Sequence, residues 1–296
     1  MNAPTPPSDG AGVALGVGAA LAFSTLAIFA KLGYREGAEA LPLLATRFSI
    51  AAALLWIVAL MRRPSRTGSR SSHFQLLLLG AFGYGSESLL FFSALERAPA
   101  VVVGLVFYSY PLWTSLFSIA ARLEPFTWRL IGALALGTAG VALVFATPLT
   151  GLAGPLLALG AGVAVAVYFT LAQVVVRDVD VATAATWTAT GAAIALLTAS
   201  LIAGEGLPPA ALPAAGGLAV ATVVAFLLMY ASITRIGSAR SSIATMLEPV
   251  ATVVLAAIIL NEDITLTIVI GTLLIVAALP VLALRSRPKR RRPTQT

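Results

Sequence analysis

The sequence contains no cysteine, a single histidine and few charged residues, and each shortage excludes a class of protein. Without cysteine there are no disulfides and no thiolate metal ligands, and one histidine cannot form a His-Glu-x-x-His zinc site. No Walker-type phosphate loop is present, and the lone histidine, His73, follows a basic loop where we expect it to be solvated. We therefore expect no cofactor, no metal site and no enzymatic activity.

Charged residues make up 10% of the chain and apolar residues 59%. Soluble domains carry about 25% charged residues, so this composition is typical of a protein whose solvent is lipid. The net charge of +7 comes mainly from Arg62–Arg66 and Arg285–Arg292. Basic clusters beside apolar segments follow the positive-inside rule, and for that reason nucleic-acid binding is not expected.

Ten apolar segments, each of the length that a membrane helix needs, follow one another along the chain. Basic residues collect in alternate loops, which places both termini in the cytoplasm and requires an even number of spans. The pattern predicts an all-α integral membrane protein with ten transmembrane helices. The segments are approximately Gly12–Leu32, Leu41–Met61, Phe74–Leu95, Ala98–Ala121, Trp128–Ala146, Gly154–Val176, Ala182–Ala203, Leu212–Thr234, Ala239–Leu260 and Ile264–Leu284.

Two short tails flank the spans. Residues 1–11 hold three prolines and no basic residue, so we expect a disordered tail and not a secretory signal. Residues 285–296 are predicted to form a basic cytoplasmic tail. Tight turns at residues 96–99 and 235–238 are the weakest of the predicted boundaries between spans.

The chain contains an internal repeat. At an offset of 138 positions, each half has a proline inside an apolar segment and a glutamate 13 residues later, at the end of that segment. This divides the chain into two five-helix halves, residues 12–146 and 154–284. Five is an odd number, so the second half enters the membrane from the opposite face, as in the inverted repeats of many secondary transporters. The matched pairs are Arg97 with Arg235, Pro111 with Pro249, Thr114 with Thr252 and Glu124 with Glu262.

At these residues the chain resembles the drug/metabolite transporter superfamily in its ten-helix EamA form. The resemblance covers residues 12–284, and its aromatic residues in spans three and four are similar to those of exporters of aromatic amino acids. Thr186-Trp187 stands where the first half has Thr46-Arg47, so Arg47 has no charged counterpart in the repeat. The resemblance is carried by Leu95–Ala100, by Tyr110-Pro111 with Glu124, by Leu247–Val250 with Glu262, and by Arg47.

Glu87 is the candidate site residue at mid-depth of span three. Tyr84, Glu87, Ser88 and Phe91 share one helical face, since they lie at positions i, i+3, i+4 and i+7. A charged residue within a span is costly, and such residues usually face a cavity or a partner. Glu87 is interpreted either as the residue that binds a substrate ammonium group or exchanges protons, or as a hydrogen-bonded packing residue.

Span nine contributes Glu248, directly before Pro249. We expect Glu248 to bind substrate at a central cavity and Pro249 and Pro111 to act as hinges. The alternative interpretation of these residues is a structural kink. Glu124 and Glu262 are expected to stabilise the turns between helices. Aromatic residues at mid-depth predict a pocket for an apolar or aromatic molecule, although helix packing would explain any one of them. These residues are Phe91, Phe107, Tyr108, Tyr110, Trp113, Tyr168, Phe226 and Tyr230.

The residues and the resemblance together imply a secondary transporter that exports small metabolites by alternating access. Amino acids, preferentially aromatic ones, are the expected cargo, and the alanine- and arginine-rich composition suggests the cytoplasmic membrane of a bacterium. One alternative is a proton-coupled exporter of drugs or lipophilic cations, in which Glu87 is the essential acid. Another is a non-transporting scaffold or receptor. The expected partners are a small molecule and the lipid bilayer; the sequence leaves the oligomeric state open and is compatible with a monomer.

Overall fold

The computed structural model describes residues 9–62, 68–121, 128–145, 151–175, 179–245 and 247–283, and every regular element in these ranges is a helix. Six of the helices in this part are long and apolar enough to cross a membrane. Together with the internal repeat, this confirms the prediction of an all-α membrane protein.

In the described ranges, twelve α-helices and two π-helical segments make up ten helical units, each of which corresponds to one predicted span. The π-helical segment Leu79–Tyr84 joins α3 to α4, and Tyr108 and Ser109 alone separate α5 from α6, so each pair counts as one span. A second π-helical segment, Ala256–Leu260, extends α11. The helices are α1 (Asp9–Arg35), α2 (Ala40–Arg62), α3 (Arg70–Leu78), α4 (Gly85–Arg97), α5 (Ala100–Phe107), α6 (Tyr110–Ala120), α7 (Trp128–Phe145), α8 (Ala153–Val175), α9 (Val181–Ala203), α10 (Leu212–Ala244), α11 (Leu247–Leu255) and α12 (Leu266–Ala283).

Two boundaries differ from the sequence prediction. The first helix begins at Asp9, inside the segment that was expected to be a tail. Helix α10 continues to Ala244, so the turn predicted at residues 235–238 is helical. The reason lies in the repeat. Pro99 separates α4 from α5, and the position equivalent to it in the second half is Gly237, which keeps its backbone N–H and can stay in a helix.

Both repeats interrupt the same helix at the same place. Helix α5 ends at Phe107, before Tyr108 and Ser109, and α10 ends at Ala244, before Thr245. With the offset of 138 positions, these interruptions coincide to within one residue. The fourth and ninth spans are therefore broken helices, which membrane proteins tolerate where the backbone lines protein or a cavity.

The helix contacts have the symmetry of two equivalent halves. Helix α2 packs on its own counterpart α9, and α7 packs on its counterpart α12. The contact of α1 with α10 is matched by that of α8 with α4, and the contact of α2 with α10 by that of α9 with the π-helical segment before α4. Exchanging each span with the span five positions later thus converts these contacts into one another.

Contacts at the two ends of the bundle show that the halves are inverted. The Glu262 carboxylate, in the turn after span nine, accepts hydrogen bonds at 2.7 and 2.9 Å from the N–H groups of Ala100 and Val101, which begin span four. At the other end, a Cβ on Gly68, before span three, would lie 2.9 Å from Val179, before span seven. If the halves were parallel, the members of each pair would lie at opposite ends.

Candidate functional site

Three aromatic rings, from both halves, surround that of Tyr84. This residue ends the π-helical segment of span three, and its ring centroid lies 5.5 Å from those of both Tyr168 in α8 and Phe226 in α10. Phe48 in α2 lies 5.7 Å away. Tyr168 and Phe226 were predicted from their depth in the spans, and Tyr84 from the helical face that it shares with Glu87. The structure brings the three rings together.

A second aromatic group surrounds the break between α5 and α6. The rings of Phe91 and Phe107 lie 4.8 Å apart, and those of Phe107 and Tyr110 lie 5.4 Å apart. Tyr108 is buried beside Tyr110, at 6.4 Å. This group places the irregular backbone of span four against the helix that carries Glu87.

Glu87 and Arg47 are buried charges in the same region, 6% and 1% exposed. The Ser88 hydroxyl donates a hydrogen bond of 3.0 Å to the Glu87 carboxylate. The Arg47 Nε donates to the Thr222 hydroxyl at 2.8 Å, and Arg47 interacts electrostatically with Tyr84 and Glu87. Arg47 was noted in the sequence only as part of the resemblance. It was not among the predicted site residues.

The second carboxylate is Glu248, half-buried in the first turn of α11. Glu248 interacts electrostatically with the Tyr108 hydroxyl and with Glu87. One acid from each half therefore faces the region where the two broken helices meet. Among the described residues, no group of three or more His, Asp or Glu side chains could hold a metal ion.

Some predicted site residues are not part of these groups. Trp113 donates from its indole Nε1 to the Ser109 hydroxyl at 3.3 Å, and none of the ring contacts found in the described part of the chain includes it. The side chains of Tyr230 and Pro111 lie outside the described part. Pro111 occupies the first turn of α6, and Pro249 is buried in the first turn of α11. Proline is favoured there because the first N–H groups of a helix have no intrahelical partner.

One end of the bundle is cross-linked by charged side chains that bind backbone groups. Lys31 Nζ donates to the Ala98 carbonyl at 2.6 Å, and Arg35 donates to the Leu260 carbonyl at 3.1 Å. The remaining wall residues include Glu96 and Glu262, and together they surround an open cavity of about 320 Å³. These charges hold helix ends together, so we assign the cavity a structural role. Glu124, the counterpart of Glu262, lies outside the described residues.

His73 is packed and not simply solvated, which corrects the expectation from the sequence. It lies in the first turn of α3, and its ring stacks on Trp187 with centroids 4.7 Å apart. Trp56 lies 5.3 Å from Trp187, edge to face. This aromatic group joins α2, α3 and α9 at the end of the bundle opposite Glu262.

Comparison with known proteins gives the same architecture. The EamA-like transporter family matches this chain twice, over residues 10–146 and 152–284. The uncharacterised transporter YcbK of Bacillus subtilis (strain 168) is 29% identical over 269 residues, covering 84% of this chain and 85% of that protein. A protein of known crystal structure aligns with a TM-score of 0.67 at 22% identity, over 92% of this chain and 96% of its own, which supports the fold alone.

Proposed function

Since the chain belongs to the EamA-like transporter family and is a multi-pass membrane transporter, we propose that it exports amino acids across the cytoplasmic membrane of a bacterium. We further propose a preference for aromatic side chains. The cargo binds between the two halves, and alternating access follows when the halves exchange their conformations.

One observation carries this proposal. Aromatic rings from both halves, among them Tyr84, Tyr168 and Phe226, adjoin a buried carboxylate, a half-buried carboxylate and one buried guanidinium. Rings provide apolar walls for an aromatic side chain, while a carboxylate can bind an ammonium group. Because both halves contribute, relative movement of the halves would change this site.

A second candidate is a proton-coupled exporter of lipophilic cations. The observation that favours it is the interaction of Glu87 with Glu248, since two neighbouring acids can exchange a proton for a cationic cargo. The two candidates differ in their cargo. A panel that includes aromatic amino acids and a permanently charged lipophilic cation separates them.

The test is flux into proteoliposomes with labelled phenylalanine, tyrosine, tryptophan, alanine and aspartate. We expect the aromatic amino acids to move faster than the other two, and Phe226→Ala to reduce that difference at least tenfold. Phe82→Ala is the matched control, because the Phe82 side chain is 75% exposed on the outside of the helix. If no amino acid moves faster than in empty liposomes, the amino-acid proposal fails.

A further inference from the structure

The charged residues at the centre of the protein are not equivalent. The described side chains there include one cation, Arg47, and two acids, Glu87 and Glu248. A guanidinium stays protonated in proteins, whereas a carboxylate can be neutralised by a proton or a bound cation. Only one of the two acids can be the main counter-charge of the Arg47 guanidinium.

Arg47 is held in one place by neighbours from three helices. Its Nε donates to Thr222 in α10 at 2.8 Å, and its guanidinium lies 4.6 Å from the ring centre of Phe48 and 5.0 Å from that of Phe92 in α4. The side chain is 1% exposed. Such a fixed buried charge needs an opposite charge nearby.

Glu87 provides that opposite charge. It lies in the first turn of α4, the helix whose Phe92 ring adjoins the Arg47 guanidinium, and among the described carboxylates it is the one whose charge acts on Arg47, at longer range than a direct ion pair. Ser88 provides a further hydrogen bond at 3.0 Å. Glu87 and Arg47 therefore compensate each other inside the first half and its contact with α10.

Glu248 has a different environment. It is half-buried, so part of it is accessible to a bound molecule. Among the described side chains, its partners are the Tyr108 hydroxyl and the like charge of Glu87, and no cation is among them. Tyr108 lies in the break between α5 and α6, and Glu248 lies just after the break between α10 and α11. A ligand at Glu248 thus reaches both broken helices.

We propose that Glu248 binds the positively charged amino group of the cargo, while Glu87 serves as the internal counter-charge of Arg47. This inference rests on the proposed function, since an amino acid carries such an ammonium group. It assigns the acids opposite tasks: Glu248 determines which cargo binds, and Glu87 keeps the buried guanidinium in the fold.

The first experiment tests the role of Glu248 with three probes that share a phenyl ring: phenylalanine, phenethylamine and 3-phenylpropionate. Binding to the purified full-length protein is measured by titration calorimetry. We expect Glu248→Gln to weaken both amine probes at least tenfold and to change the affinity for 3-phenylpropionate less than threefold. Glu39→Gln is the matched control, because Glu39 is exposed in the turn before α2. Arg240→Gln tests whether Arg240, whose side chain lies outside the described part, balances the charge of Glu248.

The second experiment tests the Arg47–Glu87 pair without any ligand, through melting temperatures of Arg47→Met, Glu87→Gln and the double variant. We expect each single change to lower the melting temperature, and the double variant to melt higher than the sum of the two losses predicts. Arg47→Met with Glu248→Gln should be additive within error. Additive losses for Arg47 and Glu87 would overturn the pairing.

The remaining outcomes are also decisive. If Glu87→Gln, and not Glu248→Gln, removes amine binding, or if Arg240→Gln raises amine affinity by leaving Glu248 unbalanced, the assignment of Glu248 is wrong. If the wild type binds 3-phenylpropionate as tightly as the amines, the proposed transport function is retained, but the proposal that Glu248 binds an ammonium group is wrong. If the wild type neither binds nor moves any probe, the proposed function and the role of Glu248 both fail, whereas the melting cycle still decides the pairing.

Discussion

At the scale of single residues, the most informative side chains join segments that are far apart in sequence. Glu262 binds two backbone N–H groups of α5, and Arg47 binds Thr222, which follows it by 175 positions. In lipid there is no water to satisfy such groups, so each polar contact has to be made within the protein. One side chain can therefore determine how two helices meet.

Glu262→Ala should destabilise the protein because it leaves the N–H groups of Ala100 and Val101 without their carboxylate acceptor. Losing an N-terminal cap costs about 0.5–2 kcal/mol in soluble proteins, and we expect a drop of that order, measured as a lower melting temperature in detergent. Glu262→Gln keeps one acceptor oxygen, so its melting temperature should lie between those of the wild type and Glu262→Ala. Asp263→Ala, at the exposed neighbouring position, is the control. A Glu262→Ala variant with the same melting temperature as the wild type would contradict the capping role.

The candidate site shows which residues a sequence can and cannot reveal. The face formed by Tyr84 and Glu87 follows from helical spacing alone, because both lie in one helix. The role of Arg47 was missed, since its partners Thr222 and Phe92 come from other helices. Trp113 was predicted at the site for its depth, but depth does not determine the direction in which a side chain points.

At the scale of helices, α3 and α9 cross with their backbones close together. A Cβ on Gly80 would overlap the carbonyl of Thr188, and one on Gly191 would overlap the carbonyl of Leu77. Close approach through small residues replaces the hydrophobic driving force that lipid does not supply. This contact joins span three, which carries Glu87, to the second half.

Gly191→Ala should separate α3 from α9, because the added methyl group has only backbone to displace. Overpacking of this kind costs about 1–3 kcal/mol, so we expect a lower melting temperature and reduced flux. Gly216→Ala is the matched control, since a Cβ there meets nothing within 4 Å and the residue is in helix α10. Alanine is the better helix former, so that variant should be neutral or slightly more stable. Equal behaviour of the two variants would exclude a close crossing.

The broken helices make a second prediction at this scale. Pro249→Ala restores a backbone N–H that can donate to the Thr245 carbonyl, the acceptor that Glu248 uses at 3.0 Å. We expect α11 to be extended towards α10, with flux reduced at least fivefold and a melting temperature that is unchanged or higher. Pro213→Ala, at the exposed start of α10, should leave flux unchanged. Full activity of Pro249→Ala would show that the break does not depend on this proline.

At the scale of the whole molecule, hydropathy and the repeat were enough to predict ten helices in two inverted halves. Both signals are properties of long segments, so an error of a few residues does not change them. The end of α10 was predicted less well, because Arg235–Ser238 resembles a turn in polarity while its backbone, without proline, remains helical. The packing pattern between the halves could not be derived from one sequence, since it depends on side chains that meet across the repeat.

The orientation of the inverted halves leads to a test for which the chain is well suited, because it contains no native cysteine. Glu39 and Asp263 lie at exposed turns at one end of the bundle, and Arg70 lies exposed at the other. The distribution of basic residues predicts that the end with Arg70 is cytoplasmic. In intact cells, a membrane-impermeant maleimide should label Glu39→Cys and Asp263→Cys. It should label Arg70→Cys only after permeabilisation. Labelling of Asp263→Cys together with Arg70→Cys, and not with Glu39→Cys, would mean that the second half is not inverted. Labelling of Arg70→Cys alone in intact cells would preserve the inverted fold and reverse its orientation in the membrane.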